Sequence, residues 1–221
     1  MDRELSVERP DLREKLLSIA RLQYAAHPGI ITPDESGKIS PQSLFKNPDS
    51  FHVLELGAGF GELCIEYMRS NPDHEYTAFE IKWDRIRNLL KHADADRLHP
   101  RVVPVDFDWF FESMLPAHSF DRIIIYFPDP WPKRRHWKHR LIHKGFPDRL
   151  SPIMRPGADI YLATDYGPYA RRMLSAFRKS ALKPGFPFPH YVRENPLPTR
   201  THFEKLMSQK RKPYFMVWKN E

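Results

Sequence analysis

The chain predicts an α/β fold built on an open, mostly parallel sheet with helices on both faces. Short β-branched runs alternate with stretches of helical periodicity. One such run passes straight into a helix through the glycine turn Gly57-Ala58-Gly59-Phe60-Gly61. Run after run ends on an acid: Glu80, Asp106, Asp129 and Asp165. In an open α/β sheet ligands bind beyond the carboxyl ends of the strands, so a row of acids there points to a site. Each acid taken alone could equally cap the helix that follows it.

A length of 221 residues suits one large domain with small appendages. The formal net charge of +7 and a pI near 9.5 favour a polyanionic partner, nucleic acid first. One cysteine, Cys64, excludes an intramolecular disulfide and fits a reducing compartment, where it fills core. The charged start MDRELSVERPDLREK lacks the apolar stretch of a leader, and the longest apolar runs are strand-sized. The expectation is a cytoplasmic protein that does not enter the membrane.

Taken in order, residues 8–26 place Leu12, Leu16, Ile19, Ala20 and Tyr24 at helical spacing. Residues 27–50 break into turns around Pro28-Gly29, Thr32-Pro33-Asp34, Ser36-Gly37 and Asn47-Pro48-Asp49-Ser50, so residues 1–50 form an N-terminal helix and a turn-rich connector. A strand over 52–56 leads through the glycine turn into a helix over 62–69. The G-x-G-x-G spacing puts Glu62 where a dinucleotide fingerprint has its third glycine, which argues against a nicotinamide cofactor. A second strand over 76–80 ends on Glu80, at the distance where a carboxylate usually holds a ribose diol. Residues 82–97 form a helix through Ile86, Leu89, Leu90 and Ala93. The third strand, 101–106, contains Pro104, which donates nothing to a ladder and marks an outer strand.

The fourth strand, 121–126, runs into FPDPWPKRRHWKHR at 127–140. Pro128 and Pro130 stiffen the backbone that carries Asp129. Lys133, Arg134, Arg135, Lys138 and Arg140 follow with no acid among them, a phosphate grip or a solvated basic face. The fifth strand, 159–165, ends on Asp165 and is followed by a helix over 169–179. Residues 183–200 are proline-studded, with room for a strand over 188–193. Thr201 and Glu204 have capping-box spacing for a short helix. A last strand over 213–218, reached without a crossover, should insert antiparallel. His136, His139 and His143 sit among cations with no carboxylate between them, so no metal site is expected.

These motifs resemble the bacterial tRNA (guanine-N7)-methyltransferase family over roughly residues 52–218. The resemblance is carried by LELGAGFGE at 54–62, Glu80, FPDPWPKRRHWKHRL at 127–141, ATDY at 163–166 and THFE at 201–204. It implies the Rossmann-like class I methyltransferase sheet of seven strands across residues 51–221, with S-adenosylmethionine as methyl donor and tRNA as substrate, methylated at N7 of a variable-loop guanosine. By the same resemblance the donor is held by Glu55, Gly57, Gly59, Gly61, Glu80 and Asp106. Asp129 is the active-site acid, and Lys133, Asp165, Thr201, His202, Phe203 and Glu204 meet the substrate. The oligomeric state, monomer or homodimer, stays open, as do a methyltransferase acting on another RNA, a protein or a small molecule and a non-catalytic RNA-binding paralogue. The family pattern has smaller residues where this chain has Phe107-Asp108-Trp109.

Overall fold

The computed structural model describes residues 27–34, 36–106, 114–199, 204 and 212–221. The helix expected over 8–26, the stretch Phe107-Asp108-Trp109 and the candidates Thr201, His202 and Phe203 lie outside the described residues. The strands are β1 (Phe51–Leu56), β2 (His74–Phe79), β3 (Arg101–Val103), β4 (Phe120–Tyr126), β5 (Met154–Thr164), β6 (Lys183–Pro184) and β7 (Tyr214–Lys219). They form one sheet in the order β3-β2-β1-β4-β5-β7-β6. β1 to β5 run parallel, while β7 pairs antiparallel with both β5 and β6. The mostly parallel sheet and the reversed last strand are therefore as the sequence implies.

The unbroken apolar run of β4 reflects burial on both faces: Ile123, Ile124 and Ile125 are all fully buried. On one side Val53 and Ile124 pack with Leu63, Cys64 and Tyr67 of α2 (Glu62–Ser70) and with Ile86 and Leu89 of α3 (Trp83–Ala95). On the other, Leu54, Ile123 and Ile125 meet Met173 and Phe177 of α5 (Gly167–Phe177). The same cluster takes Ile39, Leu44 and Phe45 from the turn-rich stretch before β1, where a short α1 (Pro41–Leu44) is capped by Ser40. Residues 29–31 also run along the free side of β3: the Ile31 N–H donates to Val102 O at 2.9 Å and the Val102 N–H to Gly29 O at 2.8 Å. That covers the outer strand that Pro104 announces.

Three element boundaries differ from expectation. β3 stops at Val103 because Pro104 cannot extend the ladder, which leaves Asp106 three residues past its end. β5 starts five residues early, at Met154. It tolerates Gly157 at φ 80°, where the Gly157 N–H donates to Asn220 O at 2.7 Å, and a register shift opposite Phe120 and Arg122. The strand expected over 188–193 reduces to a single bridge, Val192 to Phe215, since Pro187 and Pro189 have no N–H to give. The edge is taken instead by Lys183–Pro184. Between β4 and β5 lie a 3₁₀ segment (Arg134–His139), α4 (Phe146–Leu150) and a second 3₁₀ turn (Ser151–Ile153). Among the described residues no helix is long and apolar enough to cross a membrane.

Leu44 has no exposed surface although it precedes the first strand. Leu44→Ala should therefore destabilise the protein by about 2–5 kcal/mol, read as a lowered urea midpoint with an unchanged slope. A neutral result would mean that this segment is not part of the core.

Candidate active site

The strand order reverses direction between β1 and β4, and this is where an open α/β sheet leaves a crevice at its carboxyl edge. The glycine turn leaves β1 on one side of that crevice and the Asp129 loop leaves β4 on the other. Gly57 and Gly59 sit at φ 85° and 59° with nothing within 4 Å of a Cβ at either position, so the backbone above them is open to a ligand. Gly61 does a different job, because a Cβ there would come within 2.5 Å of the Leu89 side chain. It lets α2 start against α3. The turn is tied to the end of β2 by the Gly57 and Ala58 N–H groups, which both donate to Phe79 O at 2.9 and 3.0 Å.

Glu80, one residue beyond β2, is buried and points back at this turn. Its Oε2 accepts from the Gly59 N–H at 2.9 Å, and its Oε1 accepts from the Ile81 and Lys82 N–H groups at 2.9 and 3.0 Å. The candidate donor residues Gly57, Gly59, Gly61 and Glu80 are thus one connected unit. A cradle with open backbone and a fixed carboxylate suits a nucleoside with its ribose diol. Glu55 lies within the sheet below them, fully enclosed, with the Tyr76 hydroxyl donating to its Oε2 at 2.9 Å. Burial pushes the Glu55 carboxyl up to about 8, against the lowering effect of the Tyr76 hydrogen bond, and the charges of Glu62 and Glu80 add to the rise. At neutral pH it is then mostly a neutral acid. Asp106 is half-buried at the same carboxyl edge, beyond β3.

The loop bearing Asp129 is held in an unusual backbone. Phe127 and Trp131, two residues on either side, have φ of 51° and 38°. Bulky side chains rarely adopt this region, at a cost of about 1–3 kcal/mol each, so the surroundings must impose it. The Phe127 N–H donates to Ala163 O of β5 at 2.9 Å. Arg140 closes the other side: its Nε donates to Pro130 O at 2.7 Å and its Nη2 to Trp131 O at 3.2 Å. Its guanidinium lies against the Trp137 and Tyr169 rings, with centroids at 4.8 and 5.1 Å. Arg140, expected on a phosphate path, is instead buried and occupied by two carbonyls of the loop.

Lys133, which caps the 3₁₀ segment, and Arg134, Arg135 and Lys138 on it remain exposed, together with Trp137. Trp131 packs edge-on against His136, at 5.6 Å, and obliquely against His139. Asp165 is half-buried directly after β5. Glu204 is buried, and it exposes a residue the sequence does not single out, Asn195. The Asn195 side chain donates from Nδ2 to Thr199 O at 2.6 Å and to Glu204 Oε2 at 2.9 Å. Its Oδ1 accepts from the Tyr126 hydroxyl at 2.8 Å and from the Leu197 N–H at 3.0 Å. All four positions of the amide are used, and they join the end of β4 to Glu204. The only hint in the sequence is an asparagine before a proline, which reads as an ordinary turn.

Residues 49–217 match a family model described as a putative methyltransferase. A tRNA (guanine-N(7)-)-methyltransferase from Leptospira interrogans serogroup Icterohaemorrhagiae serovar copenhageni is 34% identical over 171 residues, 77% of this chain and 79% of that protein. Among solved structures, the 16S rRNA methyltransferase KamB matches with a TM-score of 0.58 at 12% identity, over 83% of this chain and 95% of that one. The geranyl diphosphate C-methyltransferase of Streptomyces coelicolor A3(2), solved with S-adenosyl-L-homocysteine, matches with a TM-score of 0.53 at 12% identity, over 79% of this chain and 71% of that one. At such identity the likeness is one of fold, the class I methyltransferase sheet.

The raised Glu55 carboxyl sets a stability test. Below an ordinary carboxylate value of 4.5 both folded and unfolded chains hold the proton, and between there and about 8 only the folded chain keeps it. Stability should therefore fall across this window, by up to roughly 1.4 kcal/mol per pH unit. Urea midpoints of the wild type and of Glu55→Gln, measured from acid to mildly alkaline pH, should diverge in that direction. Parallel curves would place the ionisation of Glu55 in the usual range.

Proposed function

The chain belongs to the tRNA (guanine-N(7)-)-methyltransferase family, and from that premise we infer that it transfers the methyl group of S-adenosylmethionine to N7 of a guanosine in tRNA. What supports the reading at the site is that two structures follow neighbouring parallel strands at the same edge of the sheet, a glycine cradle with its fixed carboxylate and an acid on a stiffened loop. When bound, S-adenosylmethionine supplies an electrophilic methyl group on a sulfonium. Gly57 and Gly59 offer the open backbone against which it would lie. Glu80 would hold the ribose hydroxyls, and Asp106, beyond the outer strand, would help to hold the donor. Glu55 lies close enough to Glu62 and Glu80 to feel their charge, so a cation entering the cradle favours release of its proton.

Guanine N7 has an in-plane lone pair and no proton, so the chain needs no general base to uncover it. Reaction makes the base cationic. In this reading Asp129 accepts hydrogen bonds from the guanine N1–H and amino group, turns the ring so that N7 faces the methyl, and favours the charge that develops. Asp165, at the end of the neighbouring parallel strand, supports the same orientation, and Thr201, His202, Phe203 and Glu204 complete the recognition segment. Lys133 with Arg134, Arg135 and Lys138 grips the phosphates, and the exposed Trp137 offers a stacking face. Affinity then comes from the shape and charge of a folded RNA, while the crevice selects the base.

Mapping 7-methylguanosine on unmodified tRNA treated with the purified protein and S-adenosylmethionine tests the activity directly. Asp129→Ala should leave S-adenosylhomocysteine binding near the wild-type value and lower the rate of methyl transfer by about 10²-fold or more. Equal loss of both would make Asp129 structural. Replacing Lys133 and Arg134 together by alanine should weaken tRNA binding and reduce the slope of log affinity against log salt by about one to two. An unchanged slope would put the RNA path elsewhere.

A further inference from the structure

The stretch after β6 is tied to the sheet at two points. Val192 exchanges a pair of backbone hydrogen bonds with Phe215 of β7, each 2.9 Å long. Further on, the Asn195 Oδ1 accepts from the hydroxyl of Tyr126, the last residue of β4. The chain between these anchors therefore crosses the carboxyl end of β5, which lies between β4 and β7 in the sheet. Beside the bridge, the Arg193 guanidinium stands 3.9 Å from the ring centroid of Tyr214, and Tyr191 meets the same ring edge-on at 5.1 Å. Tyr214 is paired with Thr164, the residue before Asp165. Its hydroxyl lies 3.3 Å from where a Cβ on Gly167, the first residue of α5, would stand. Arg193 is thus held at the carboxyl edge, next to the turn that carries Asp165.

Other arginines of the sheet have partners that explain them. Arg122 and Arg155 each meet an aspartate, and Arg140 is bonded to two loop carbonyls. Arg193 is exposed, and among the described residues no carboxylate comes within ion-pair distance of it. A ring beneath a guanidinium orders the side chain without consuming its N–H donors, which stay available to an anion. The other exposed cations reach the same helix start from the loop after β4. Arg140, which caps the 3₁₀ segment, lies against Tyr169 in the first turn of α5, as Tyr214 lies against Gly167. We propose that Arg193 is a second phosphate contact for the RNA, so that the polynucleotide runs along the carboxyl edge from the 3₁₀ segment past Asp165 to β7. The proposal rests on the reading of tRNA as the substrate. It makes the edge basic at both ends and acidic between them, so the phosphates keep to the ends and a base faces Asp129 and Asp165.

Affinity of the full chain for unmodified tRNA, measured by fluorescence anisotropy over a range of salt concentrations, tests this. Arg193→Gln removes the charge and keeps a polar planar end. Its slope of log affinity against log salt should be shallower by about 0.7–0.9, the share of one phosphate. That corresponds to about five- to eightfold weaker binding at about 0.1 M salt, a gap that closes as salt approaches about 1 M. Arg193→Lys restores the charge and should recover the slope. Both variants should bind S-adenosylhomocysteine as the wild type does, which a disturbed sheet edge would not allow. Added to the Lys133 and Arg134 replacements, Arg193→Gln should lower the slope again by the same amount, because it meets a different phosphate. A wild-type slope in Arg193→Gln, or a loss that Arg193→Lys does not recover, would overturn the contact, while methylation of tRNA by the wild type would leave the substrate reading standing. A wild type that neither binds nor methylates tRNA would remove the reading and the contact with it.

Discussion

Everything at this site depends on the parallel pairing of β1 with β2 on one side and β4 on the other. The register sets Leu56 beside Phe79 and Glu55 beside Ile124, so the carboxyl ends of three neighbouring strands reach the same edge together. Parallel strands need crossovers, and the crossovers here are the helices that bury both faces of the sheet. With both faces closed, the edge is where polar chemistry has room. A single-residue slip in this pairing would exchange the two core faces of β1 and withdraw the cradle from the loop.

The two halves of the crevice are held by different means. The cradle is fixed by its own backbone, through the Phe79 carbonyl and the Glu80 carboxylate. The Asp129 loop is fixed from outside, by a strand on one side and a side chain on the other. Its prolines limit the chain but do not choose the left-handed geometry at Phe127 and Trp131; the grip on Ala163 O, Pro130 O and Trp131 O does. Tyr169, whose hydroxyl burial pushes up to about 12 against the lowering effect of its bond to the Ile142 N–H, stays neutral beneath the Arg140 guanidinium. The loop's rigidity is therefore bound to α5 as well as to the sheet.

Much of this is legible in the residues themselves. Runs such as Ile123-Ile124-Ile125 spell a strand buried on two faces, the spacing of Gly57, Gly59 and Gly61 spells a turn into a helix, and Pro104 marks where β3 stops. Tertiary roles are not written in local pattern. Arg140 looks like one more cation in a basic run, and only the fold shows its guanidinium turned inward. Asn195 carries no periodic or motif signal, since what matters is the distant group it meets, the Tyr126 hydroxyl. The early start of β5 hides behind Gly157 and Pro156, which read as a turn until Asn220 is seen to pair across them.

The amide of Asn195 has a consequence for how the end of β4 is held. A single rotamer fixes the spacing between the aromatic end of β4, the Thr199 carbonyl and Glu204. Loss of that one amide would leave the Tyr126 hydroxyl, the Leu197 N–H and the Thr199 carbonyl seeking partners at once, so three pieces of the chain would loosen together.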